Sequence, residues 1–136
     1  MKAVADNNSF SKPYLTGYPE IDEEHEDLFT VVEEFNVAVR SRAEPDLIEK
    51  MISVACNYAD YHFTHEETIM RNMGYPFHNE HKKCHELFLS TIQRLQQEFA
   101  SGQEISAEIS YFLKSWIRDH VFGIDKELAA FLRGPV

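Results

Sequence analysis

A chain of 136 residues has room for one domain and none for a large α/β barrel, and its 43% apolar and 26% charged residues exclude wholesale disorder. A formal charge of -10 opposes nucleic acid and anionic lipid as partners. The two cysteines, Cys56 and Cys84, form no C-x-x-C pair and are too few for a disulfide scaffold. No apolar run reaches the length of a signal peptide, or the roughly 18 residues of a membrane span. The expectation is a soluble protein without membrane contact, in a reducing, cytoplasmic compartment.

Residues 1–20 include Pro13, Gly17 and Pro19, show no sustained period, and read as an extended N-terminal arm before a domain over 21–136. From Ile21 the apolar positions return every three or four residues, through His25, Leu28, Phe29, Val32 and Phe35, which predicts a first helix. The acidic run Glu20, Asp22, Glu23, Glu24, Glu26 and Asp27 reads as a solvated helix start at the positive end of the macrodipole. Ala43-Glu44-Pro45-Asp46 breaks the pattern, with Pro45 suited to the first turn of a second helix over 46–73. That helix turns Leu47, Met51, Ile52, Ala55, Ala59, His62, Phe63, Glu66 and Met70 to one side, and Gly74-Tyr75-Pro76 ends it. A third helix over 79–99 stripes His81, His85, Phe88, Ile92, Leu95 and Phe99, and Ser101-Gly102 stops it. A fourth over 105–120 carries Ile109, Phe112, Leu113, Trp116 and Ile117, and a short helical segment follows Gly123 over 126–132. No segment alternates with period two. The fold class is therefore all-α, an up-down-up-down antiparallel four-helix bundle with an extended arm and a short C-terminal helix.

The placement of the seven histidines matters more than their number. His62 and Glu66 lie four apart on one helix, and His81 and His85 repeat the spacing on the next. With His25 and His120 they all fall in the apolar stripe of their own helix. One buried histidine is ordinarily a satisfied core residue. Five on four helices are harder to satisfy, because each unpaired group costs about 1–3 kcal/mol. A metal satisfies their lone pairs at once, and nearby carboxylates supply the negative charge a buried dication requires.

Asp125 follows His120 by five positions, which in an unbroken α-helix leaves the two side chains about 140° apart. Gly123 between them permits a π-type bulge or a helix end that would bring Asp125 back, and the residues alone leave the point open. His65, about 300° round from His62, and His78 read as surface or outlying residues. Glu67 lies about 100° round from Glu66 and reads as a bystander whose loss leaves a metal in place.

His25 after Ile21-Asp22, H-F-T-H-E-E-T-I-M over 62–70, Gly74-Tyr75-Pro76 with His81 and His85, and W-I-R-D-H-V-F-G-I-D over 116–125 together resemble the hemerythrins, in particular the bacterial hemerythrin-like domains, over roughly residues 14–132. The arm departs from many relatives in lacking a tryptophan, since Trp116 is the only one in the chain. The resemblance implies a non-haem di-iron centre. His81, His85 and His120 would bind one iron, and His25 and His62 the other. Glu66 and Asp125 would bridge the two irons together with a solvent-derived oxo or hydroxo group. Two ferrous ions against two carboxylates and a hydroxide make a nearly neutral cluster, suited to an apolar core. The iron with fewer histidines keeps a position for dioxygen, and Ile117 and Val121, which bracket His120, are expected to line the oxygen pocket.

The implied function is reversible dioxygen binding rather than catalysis. It would serve either oxygen carriage and storage or oxygen sensing as a module of a signalling or chemotaxis protein, whose remainder would then be a partner. Ferritin-like di-iron bundles use four carboxylates and paired Glu-x-x-His motifs. The imidazole-rich set here supports high-valent iron less well. The alternative is a di-iron enzyme that consumes oxygen or peroxide.

Overall fold

Two prolines open the first two helices, at positions where a missing N–H costs nothing and a fixed φ suits the first turn. In the computed structural model, which describes residues 15–134, α1 spans Pro19–Arg40, α2 Pro45–Met73, α3 His78–Ala100 and α4 Ser106–Asp119. A π turn over His120–Ile124 joins α4 to α5, Asp125–Arg133. Most of the arm expected over 1–20 lies outside the described residues. Its last part is tied down by Asp22, whose carboxylate accepts from Thr16 N (2.7 Å), Thr16 Oγ1 (2.6 Å) and Gly17 N (3.0 Å). Asp22 is thus a clasp rather than a freely solvated charge.

The α2–α3 turn is closed by Gly74, which sits in the left-handed region at φ 71° while the Tyr75 N–H donates to the Met70 carbonyl at 3.0 Å. A side chain at Gly74 would be strained there whatever the space around it. Short connections make successive helices antiparallel neighbours. α1 packs on α2, α2 on α3, α3 on α4, and α4 returns to α1, which closes the four-helix ring. Among the described residues no strand is present, and no helix is long and apolar enough to cross a membrane.

The core is divided in two. A large cluster includes Leu28, Phe35, Ile52, Phe63, Phe88, Ile92, Leu113, Ile117 and Val121. A smaller one holds Ile21, Met70, Tyr75 and Leu128, with Tyr18 and Leu132 against it. The inward stripe of α2 differs from the expected one at its start. Leu47 is 48% exposed and Ile48 is buried instead, because Ile48, Ile52, Ala55, Ala59 and His62 keep an unbroken four-three spacing that leaves Leu47 about 100° outside it. Within the large cluster the buried Ser110 hydroxyl donates to Asn36 Oδ1, so this polar pair linking α1 and α4 is satisfied.

Candidate metal centre

Each helix passes from one apolar cluster to the other, and the polar residues fall between. Along α1 the order is Ile21, His25, Leu28; along α2 it is Phe63, Glu66, Met70. On α3, His81 and His85 precede Phe88, and from α4 to α5 His120 and Asp125 lie between Ile117 and Leu128. These six polar residues and His62, one residue before Phe63, are buried, none exposing more than 6% of its surface.

Their facing atoms converge. Glu66 Oε1 lies 3.1 Å from Nε2 of both His81 and His85, and Asp125 Oδ1 lies 3.0 Å from Nε2 of both His81 and His120. The other oxygens face the other histidines. Asp125 Oδ2 is 2.8 Å from His25 Nε2, and Glu66 Oε2 is 3.8 Å from His25 Nε2 and 3.6 Å from His62 Nε2. Two groups able to hold a metal result: Glu66, His81, His85, His120 and Asp125, and His25, His62, Glu66 and Asp125. Both carboxylates belong to both groups.

The donor set fits two metal ions. His25 Nε2, His62 Nε2, His85 Nε2, Glu66 Oε2 and both oxygens of Asp125 are buried without a hydrogen-bond partner. Buried polar atoms are rarely left so, and here lone-pair donors crowd one another as ligands of a shared cation do.

Asp125 reaches the site through the π turn. Its backbone N–H bonds to the His120 carbonyl five residues back, which stacks the two side chains where an α-helix would part them. Gly123 is not what makes this possible, since it has no positive φ and a Cβ there would meet nothing within 4 Å. Gly123→Ala is therefore expected to keep its metal content and to change stability by no more than about 1 kcal/mol, checked by elemental analysis and urea unfolding. Loss of metal in that variant would show that the turn depends on glycine.

The Hemerythrin HHE cation binding domain matches residues 16–132. The chain belongs to the hemerythrin family. It is 30% identical over 113 residues to the bacteriohemerythrin of Stenotrophomonas maltophilia (strain R551-3), covering 83% of this chain and 73% of that one. It is also 30% identical over 106 residues to the bacteriohemerythrin of Pseudomonas aeruginosa (strain LESB58), covering 78% and 69%. A wild-type hemerythrin crystal structure superposes with a TM-score of 0.75 at 26% identity, over 82% of this chain and 85% of that one. Reversible oxygen binding at a di-iron site is the activity that family membership supports.

Around this hemerythrin-type cluster lie residues that the sequence did not single out. Glu24 was expected to be solvated with its acidic neighbours, yet it is buried, and its Oε1 accepts from His62 Nδ1 at 2.6 Å. The signal was present, because Glu24 follows Ile21 by three and precedes Leu28 by four. Glu67, read as a bystander, accepts from His85 Nδ1 at 2.9 Å. It lies one turn after Phe63, and both residues address His85, since the Phe63 ring stacks on that imidazole at 3.9 Å and 4°. Trp116 stacks likewise on His120, at 4.3 Å and 12°. A carboxylate on the far nitrogen of a ligating imidazole fixes the ring and its tautomer, and its loss weakens metal binding about 10–100-fold. Glu67→Ala is thus expected to weaken metal retention about 10-fold rather than leave it untouched, as chelator competition would show. An unchanged affinity would make Glu67 a bystander to the metal.

The carboxylates and imidazoles of the site shift one another's protonation. Burial raises the Glu66 and Asp125 carboxyls, but the surrounding imidazoles outweigh it and hold both below the usual range. Burial lowers His81, yet the Asp125 and Glu66 carboxylates beside it lift it to about 10. The same opposition leaves His25 and His85 raised, whereas for His120 burial wins and its pKa falls. At pH 7 His81 therefore carries a proton that an incoming cation must displace. Metal uptake is expected to release protons and to strengthen as pH rises from 7 toward 10, which an indicator dye in weak buffer would record. Uptake without proton release would contradict this. In the metal-free protein the stability from His81 is complete below its unfolded pKa near 6.5 and is lost as pH rises through about 10.

Proposed function

We propose that this chain binds dioxygen reversibly at two irons, one held by His81, His85 and His120, the other by His25 and His62, with Glu66 and Asp125 bridging them. The observation that supports this most directly is the division of each carboxylate, one oxygen facing members of the His81, His85 and His120 group and the other facing the His25 and His62 side. When bound, two irons would supply the redox chemistry for reversible dioxygen binding. Everything else falls to the chain. The unequal histidine count leaves the His25 and His62 side one protein ligand short, room for a small exogenous molecule. Ile117 and Val121, 1% and 2% exposed, would line that space and keep water out. The stacked Phe63 and Trp116 rings hold His85 and His120 in place, so neither imidazole has to reorient as oxygen enters or leaves.

Binding of this kind suits an oxygen carrier or store, and equally a sensing module within a signalling protein. The test is to cycle reduced, anaerobically prepared protein between oxygen and argon. Visible absorbance should be gained and lost in each cycle, with no net oxygen consumed. Steady oxygen or peroxide consumption in the presence of a reductant would instead favour a di-iron enzyme.

A further inference from the structure

We propose that His65 is a positioning residue for His62, acting through Glu24. This rests on the reading of His62 as a metal ligand.

The buried Glu24 carboxylate on α1 is shared between two histidines of α2. Its Oε1 takes His62 Nδ1 at 2.6 Å and its Oε2 takes His65 Nδ1 at 2.5 Å. An ionised carboxylate can only accept, so both Nδ1 atoms carry the hydrogen. His62 is thereby left with its lone pair on Nε2, the atom that faces Glu66 in the site. A single bond from His62 would not hold Glu24, because the terminal torsion of a glutamate is broad and its plane turns readily. A second bond on the other oxygen fixes the plane, and with it the direction from which Glu24 meets His62.

His65 is suited to this task. Its side chain is 35% exposed, it does not enter the cluster, and its Nε2 lies 3.8 Å from the exposed Glu20 Oε1 at the start of α1. The network thus fastens α1 to α2 at the level of the site, and it also restrains His25, the residue next to Glu24 in the chain. His65 is not among the residues that could hold a metal.

The experiment uses the protein loaded with cobalt(II). Two quantities are read: the rate at which a chelator removes the more labile ion, and the solvent exchange of the paramagnetically shifted His62 Nδ1–H resonance. His65→Ala is expected to speed metal release about 10-fold, the low end for an outlying partner of a ligand, and to accelerate exchange of that proton. His65→Asn, whose side-chain amide nitrogen sits where Nδ1 does, should restore both. The melting temperature of the metal-free variants serves as the control, since a merely structural role would lower it without selecting one resonance. If His65→Ala releases metal and exchanges the proton at wild-type rates, the positioning role is overturned while the metal reading stands. If wild-type protein takes up cobalt but shows no His62 Nδ1–H resonance, or takes up none, the reading of His62 as a ligand falls, and the proposal with it.

Discussion

Replacing Glu66 or Asp125 with alanine should cost both metals together, not one. Each carboxylate turns one oxygen to the three-histidine group and the other to the two-histidine group, so neither metal keeps its set when either residue is lost. The affinity loss should exceed the roughly 100-fold upper range for an outlying partner, because a direct ligand and a buried negative charge go at once. Glu66→Gln and Asp125→Asn keep the shape and remove the charge, and should fare little better. The metal-free forms should also suffer. His81 is held protonated by these two carboxylates, and removing one partner of a buried ion pair costs about 3–5 kcal/mol. Elemental analysis and urea unfolding of the metal-free variants measure the two effects. A variant that retains one tightly bound metal would show that the carboxylates are not shared.

The largest effect outside the polar cluster is expected at Phe63. Its ring is 2% exposed, stacks on His85, and meets Phe88 and Trp116 edge-on with centroids at 5.5 and 5.6 Å. Phe63→Ala removes that packing and leaves a cavity beside a metal ligand. The cost is about 3–5 kcal/mol, which for a domain of this size lowers the melting temperature by roughly 10 °C or more. Water admitted next to His85 should also hasten irreversible oxidation of the reduced protein in air. Calorimetry and the rate of that oxidation test the two parts. Phe63→Leu, which refills most of the volume without the flat face, should recover most of the stability and less of the oxidation resistance. Equal recovery of both would mean that the ring acts by volume alone.

Much of this was legible in the chain because polar residues at apolar positions are conspicuous. His25, His62, His81, His85 and His120 stand where a bundle calls for leucine, so helix periodicity alone turns them inward. Asp125 is different. Regular geometry aims it away from His120, and only the π turn over His120–Ile124 brings it back. Glu24 was hidden by its surroundings, since acidic residues in an acidic run at a helix start are ordinarily solvated, and Glu67 by its offset of about 100° from the inward-facing Glu66. The partner that engages each one is a histidine on another helix, at a separation no local spacing reveals. The stacking of Phe63 on His85 and Trp116 on His120 depends on ring orientation, which sequence does not encode in any periodic form. Leu47 failed for a simpler reason: the α2 stripe is consistent with either Leu47 or Ile48 in its first turn, and three further turns of four-three spacing decide for Ile48.

The most direct measurement is the metal content of protein purified without oxygen and without added metal. If the seven converging, buried residues hold a metal pair as proposed, two irons per chain are expected. Dialysis against a chelator should remove both irons from Glu66→Ala and Asp125→Ala under conditions that leave the wild type loaded. A single metal per chain, or stoichiometric zinc with no iron, would contradict the two-iron centre.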